Sequence, residues 1–454
     1  MPYHLFHGIL IHSRGPSELV ILESALIVIN PDGKITNLIE HAPSNDIPDI
    51  ISSLNIPLSA PRIEYYLTRT QFLIPGFIDT HNHAPQWAQR GLGQSLHILD
   101  WLERVTFPNE ARFADPAHAR RVYSSCVEGF LRQGVTTASY YGSLHAEATN
   151  ILADICLAKG QRALVGKCNM NRNAPDYYRD SSVEASLKEA ESCIAHVRKI
   201  DPEGKLLKYV ITPRFAISCE PALLEGLGAL AAANPDLPIQ THFNEAEQEM
   251  VFTKELFPQF KGSEADLYEH YGLLNDRSIL AHCCHMSEYE TQRIKDLECG
   301  VAHCPISNMT VGGGFMAAPI REFLQRGVTK IGLGTDSGGG FSSSILDAMR
   351  QALVASNAKE VMSKGKDKGL DIPELFYLAT LGGARVCGLD DRIGNFEVGK
   401  EFDALIIDAS APGGIMTVLQ DDDSTRTMFD KFIMTGDDRN IKEVYVRGQS
   451  VKVQ

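Results

Sequence analysis

From residue 75 to about 336 the chain alternates short apolar runs with helix-length segments, and several of the runs stop at histidine or aspartate. FLIPGFID, GVTTASY, RALVGK, YVITPRF, PIQTHF, SILAHC and TKIGLGTD are of strand length. Between them lie stretches such as ARRVYSSCVEGFLRQG (119–134) and SSVEASLKEAESCIAHVRKI (181–200), whose apolar residues recur at helical spacing. Alternation of this kind calls for parallel strands with helices packed outside them. The expected fold is α/β, and its length suits a (β/α)8 TIM-like barrel.

Both ends read differently. LVILES, ALIVIN, DALIID and IKEVYVRG are strand-like, and PDGK (31–34) is a turn signal. Two β-rich ends around one α/β body predict a small β-sandwich built from both termini. The expected division is 1–74 and 391–454 for that domain and 75–390 for the catalytic barrel. A chain of 454 residues has room for both, because single cores stop growing near ~250–300 residues.

With 43 basic and 57 acidic residues the net charge is −14, which argues against a phosphate-backbone partner such as nucleic acid. LVILESALIVIN (19–30) is too short and too polar to span a bilayer, and the first residues lack a secretory pattern. Ten cysteines without a CxxC pair fit a reducing compartment. The expectation is a cytoplasmic protein with no membrane partner.

The chemistry sits where the apolar runs stop. His81 and His83 end FLIPGFIDTHNH, and residues i and i+2 of a strand point to one side. His242 ends PIQTH, His282 ends SILAH and Asp336 ends KIGLGTD. One such histidine is more often a hydrogen-bonded core residue, and Asp336 alone could cap a helix. Five in one ordered series make a nitrogen and oxygen metal site of the kind zinc or iron accepts. Glu245, three residues after His242, can lean over such a site and shuttle a proton, while Glu247 and Glu249 suit a helix start.

These residues stand in PGFIDTHNHAPQ (75–86), TPRFAISC (212–219), QTHFNEAEQE (240–249), LAHCCHMSEYE (280–290), VAHCPISNM (301–309) and KIGLGTDSGGGFSSSILDAMR (330–350). Together they resemble the amidohydrolase superfamily. WLERVTFPNEARF (101–113), TPRF and GDDRNIKEVYVRG (436–448) narrow the resemblance to its guanine-deaminating members. The resemblance implies a homodimer with one Zn²⁺ per chain, or Fe²⁺ in its place, converting guanine and water to xanthine and ammonia. It implies metal ligands His81, His83, His242 and Asp336, with Asp336 also counted as catalytic and His242 also among the substrate contacts. His282 is implied to hydrogen-bond the activated water. Glu245 is implied to carry the water proton to a ring nitrogen next to C2. Base selection falls to Gln86, whose amide offers donor and acceptor together, and to Arg214, which can donate to O6. Phe215 and Trp101 are candidate stacking partners, against a plain core role for each.

Other signals lead elsewhere. The glycine runs 312–314 and 338–340 belong to no phosphate-binding motif and read as loops near the pocket. His282-Cys283-Cys284-His285 lacks the spacing of a structural zinc site. His145-Ala146-Glu147 lacks the PCxxC that follows it in other zinc deaminases. Lys167, at a strand end, would suit a two-metal cyclic-amide hydrolase. Hydrolysis of another aminated or chlorinated heterocycle, and a non-catalytic binding module, are the remaining alternatives.

Overall fold

The structure is a computed structural model that describes residues 1–54, 56–57, 60–311 and 316–452. The glycine run 312–314 lies outside the described residues. The N-terminal part supplies strands β1 (Tyr3–Gly15), β2 (Glu18–Ile29), β3 (Ile35–Ile39), β4 (Arg62–Tyr66) and β5 (Gln71–Pro75). The α/β body follows with β6 (Phe77–His83), β7 (Val135–Tyr141), β8 (Arg162–Gly166), β9 (Cys168–Asn169), β10 (Leu207–Tyr209) and β11 (Thr212–Pro213). It continues with β12 (Ile239–Phe243), β13 (Ser278–His282), β14 (Gly300–His303) and β15 (Ile331–Leu333). The C-terminal part adds β16 (Ala404–Asp408), β17 (Ile441–Val446) and β18 (Gln449–Ser450).

Strands of the body pair in parallel. β10-β8-β7-β6 form one ladder, β12-β13-β14-β15 form another, and β9 pairs with β11. The ladders do not run on into one continuous sheet, and isolated contacts join them at the two seams. Ile211 and Ile239 make a lone parallel bridge. At the other seam Thr80 Oγ1 donates to the Leu333 carbonyl at 2.9 Å, and the Asp336 N–H donates to the His81 carbonyl at 2.9 Å. The body strands are buried along their length, as parallel strands covered by helices must be.

The covering helices follow the spacing of their apolar residues. Helix Pro116–Arg132 starts where Asp115 caps it, accepting from the Ala117 N–H at 2.9 Å, with Pro116 in the first turn. It buries Val122, Cys126, Val127, Phe130 and Leu131 on one side. Helix Val183–Ile200 is capped by Ser182 and buries Ala190, Cys193, Ile194 and Val197.

Both chain ends meet in one eight-stranded sheet, in the order β18-β17-β16-β5-β1-β2-β3 with β4 on β1. LVILES and ALIVIN form the single strand β2, and Glu23 in its middle accepts from the Thr425 hydroxyl at 2.6 Å. Gly8, at φ +147°, marks the point on β1 where pairing with β4 gives way to pairing with β5. Fully buried Arg162 joins body to sheet, donating to Asp403 Oδ2 at 3.0 Å and to Glu401 Oε2 at 2.6 Å. Removing either end of such an ion pair strands a buried charge. All ten cysteines are free thiols. Among the described residues no helix is long and apolar enough to cross a membrane.

Candidate active site

The sequence-predicted metal residues converge. His81 and His83 leave the end of β6 on the same side, His242 comes from β12, His282 from the last position of β13 and Asp336 from the turn after β15. His83 Nε2 lies 3.2 Å from His242 Nε2. Asp336 Oδ1 lies 3.4 Å from both His81 Nε2 and His83 Nε2. Ligands bonded at about 2.0–2.1 Å in a tetrahedron are spaced by about 3.3–3.4 Å, so these gaps fit a small divalent cation.

Protonation agrees with that fit. The ring of His242 donates from Nδ1 to the Arg214 carbonyl at 2.6 Å, and His282 donates from Nδ1 to Asn308 Oδ1 at 2.8 Å. Each bond fixes the tautomer that leaves Nε2 with a lone pair turned to the centre. The Nε2 atoms of His81 and His282 are buried with no hydrogen-bond partner. Burial holds His83 and His242 well below the ordinary histidine range and His282 at about 4, so these rings are neutral donors at pH 7. Burial opposes the Asp336 charge, but His81, His83 and His282 outweigh it and keep the carboxyl well below its usual range.

The backbone at these positions is strained in a way that serves the geometry. Asn244 (φ +46°), His282 (φ +76°), Cys283 (φ +50°) and Asp336 (φ +43°) all sit in the left-handed region. Such residues cost of order 1–3 kcal/mol and persist only where neighbours over-determine them. Here Cys283 N–H bonds the Phe243 carbonyl at 3.0 Å, and Gly340 N–H bonds the Asp336 carbonyl at 2.7 Å.

Glu245 Oε2 stands 3.5 Å from His282 Nε2. Burial, with Glu249 and Asp336 near, raises its carboxyl well above the ordinary glutamate range. Glu249 is buried at the start of helix Glu247–Leu256 and accepts from the N–H groups of Glu245 at 2.9 Å and Ala246 at 3.3 Å. It thus holds the turn on which Glu245 stands.

One pocket joins these groups to the rest of the sequence-predicted set. His83, His242, Glu245 and Asp336 line one part of it, and Gln86, Trp101, Arg214 and Phe215 line the remainder, with Gly339 and Val311. The Phe215 ring meets His242 edge-on at 6.0 Å. Trp101 is anchored by its indole N–H on the Leu92 carbonyl at 3.0 Å. Arg214 is buried, yet it remains charged because Glu110 more than offsets the burial.

Glu110, Asn308 and Asp79 were not legible as site residues. Glu110 receives Arg214, Gln86 and Tyr178, and its only sequence signal was its place inside the narrow segment TFPNEARF. Lys167 stands apart: it is buried against Asp180 at 2.8 Å and lines no part of this pocket. Among the described residues, the groups of His, Cys, Asp and Glu close enough to hold a metal are drawn from His81, His83, His242, Glu245, His282 and Asp336, without a cysteine.

Comparison with known proteins agrees in fold and family. The amidohydrolase family model matches residues 72–451. A probable guanine deaminase of Schizosaccharomyces pombe is 41% identical, covering 98% of this chain and 83% of its own. The guanine deaminase of Homo sapiens is 37% identical, covering 99% and 96%. A crystal structure of guanine deaminase from C. acetobutylicum with bound guanine superposes with a TM-score of 0.86 at 32% identity, covering 99% of each chain. The strand-end histidines and aspartate fall inside the matched span, and the chain belongs to the amidohydrolase family.

Proposed function

We propose that this protein catalyses the hydrolytic deamination of guanine to xanthine and ammonia. The observation that carries the reading is the pairing, in one buried pocket, of the histidine and aspartate cluster with Arg214 and Gln86. Relatives named guanine deaminases over nearly the whole chain support it.

His81, His83, His242 and Asp336 are the residues that would hold the metal, for which zinc is our choice because the set is nitrogen and oxygen at tetrahedral spacing. When bound, that metal supplies a water acidified toward neutral pH and fixed in position. Arg214 and Gln86 bind the edge of the base, and Phe215 and Trp101 wall the pocket around its ring. Glu245, whose carboxyl burial raises well above the ordinary glutamate range, takes a proton from the water and delivers it to the ring nitrogen beside C2. That proton makes C2 electrophilic, the hydroxyl left from the water adds there, and its remaining proton passes through Glu245 to the amino group, which leaves as ammonia as the C2 carbonyl forms. His282, with its tautomer set by Asn308, faces Glu245 and orients the water.

The same reading treats the two parallel ladders as halves of a (β/α)8 barrel, 75–390, supported by the Ile211–Ile239 bridge and the Thr80–Leu333 bond. It treats 1–74 and 391–454 as one β-sandwich, supported by the change of partner along β1. A cytoplasmic homodimer completes it, and light scattering with cell fractionation tests that part. The function itself is tested by ammonia release from guanine, adenine, cytosine and guanosine, with metal content measured on the same sample. Xanthine from guanine alone at about one zinc per chain is expected. A fully metallated sample that leaves guanine untouched would overturn the substrate.

A further inference from the structure

Glu110 belongs neither to the metal cluster nor to the residues that line the pocket, yet it holds two that do, Gln86 and Arg214. It ends the short helix Phe107–Glu110 and is fully buried. Gln86 donates from Nε2 to Glu110 Oε1 at 2.7 Å. Arg214 donates from Nη1 to Oε2 at 2.7 Å and from Nη2 to Oε1 at 3.3 Å. Tyr178 donates its hydroxyl to Oε2 at 2.6 Å.

A carboxylate gripped by a guanidinium only accepts hydrogen bonds. Gln86 therefore has to turn its nitrogen toward Glu110, whichever way an isolated amide would lie. Its oxygen, Oε1, is left buried and without a partner on a side chain that lines the pocket. Gly338 (φ +124°) packs against it, and a Cβ there would overlap Oε1. Arg214 has five N–H donors, so the pair with Glu110 leaves some for the pocket.

We propose that Glu110 is a positioning residue that sets base selection: it leaves the pocket a carbonyl acceptor from Gln86 beside guanidinium donors from Arg214. That pair fits a ring –NH–C(=O)– edge, such as N1–H and O6 of guanine. Adenine offers the reverse, a bare N1 to the carbonyl and an amine to the guanidinium. The inference rests on the guanine reading above and refines the expectation that Gln86 shows both donor and acceptor. The ligand class is any 2-amino ring with an amide edge, purine or single-ring.

The test compares kcat/KM for guanine and for 2-aminopurine, which carries the same C2 amine but a bare N1 and no O6. In E110Q the new amide can donate to Gln86 and free it to turn over. The guanine to 2-aminopurine ratio is then expected to fall by about 10- to 100-fold, with KM for guanine raised more than kcat is lowered. Because E110Q strands the Arg214 charge, Gln86→Met is a second variant that keeps the Glu110–Arg214 pair and removes the acceptor. It is expected to lower the same ratio. Equal losses on both substrates in the two variants, leaving the ratio unchanged, would overturn the proposal. Wild-type protein inert toward guanine would instead remove the reading on which it rests.

Discussion

Thr335 donates its hydroxyl to Asp79 Oδ2 at 2.6 Å and its backbone N–H to Asp79 Oδ1 at 3.0 Å. The same Oδ1 accepts from the His81 N–H at 3.2 Å. One buried carboxylate thus clamps the turn that carries Asp336 to the strand that carries His81 and His83. Supporting bonds of this kind typically set metal affinity by about 10- to 100-fold. Thr335→Val, which keeps the shape and loses the hydroxyl, is expected to weaken metal retention by that factor while leaving the circular dichroism unchanged. Chelator titration followed by metal analysis measures it, and unchanged retention would show the clamp to be dispensable.

Glu245→Gln keeps the volume and the contact with His282 but can no longer accept and release a proton. Loss of an acid–base group typically lowers turnover by about 10²–10⁴-fold. The variant should do so with its metal content intact. A variant near wild-type activity would take the proton transfer away from Glu245.

How much of this was readable depended on distance along the chain. The HxH at the end of β6 was legible because a strand's period of two is local, so His81 and His83 announce a shared direction without help. His242, His282 and Asp336 were legible as the ends of apolar runs. Glu110 was not, since its partner Arg214 lies 104 residues away and its own segment looks like an ordinary helix start. Asp79 ends the apolar run FLIPGFID two residues before His81, and nothing local ties it to Thr335, 256 residues away. The pairing of termini was foreseen, but the ion pair of Arg162 with Asp403, 241 residues apart, left no local pattern. Local periodicity carried the elements and the ends of strands; buried polar partners needed three dimensions.

Removing the metal should act on stability as well as turnover. The buried Nε2 atoms of His81 and His282, without hydrogen-bond partners beside the Asp336 carboxylate, form a site that gains from a cation. A ligand that binds only the folded state at 1,000 times its Kd stabilises by about 4.1 kcal/mol. Chelated protein is therefore expected to melt several degrees lower and to be inactive, and added Zn²⁺ should restore both. Equal melting temperatures with and without metal would place no cation in this pocket.

Acid sensitivity can be traced to a histidine far from the site. His12 on β1 is buried, accepts the Phe396 N–H on Nδ1 at 3.3 Å, and has no partner for Nε2. Burial, helped by Arg14 and Lys400, lowers it from 6.5 to about 4. Between those values the unfolded chain binds the proton and the folded chain does not, so stability rises with pH across the window. The contribution is whole above pH 6.5, shrinks as pH falls, and is gone below pH 4. By pH 5 the loss at this one residue is about 2 kcal/mol. His12→Gln keeps an acceptor for Phe396 and cannot titrate. Urea unfolding at pH 7 and pH 5 should therefore show wild type losing about 2 kcal/mol more than the variant between the two conditions. Other histidines titrate alike in both proteins and cancel in the comparison. Equal losses would mean that His12 takes up its proton in the folded state as readily as in the unfolded one.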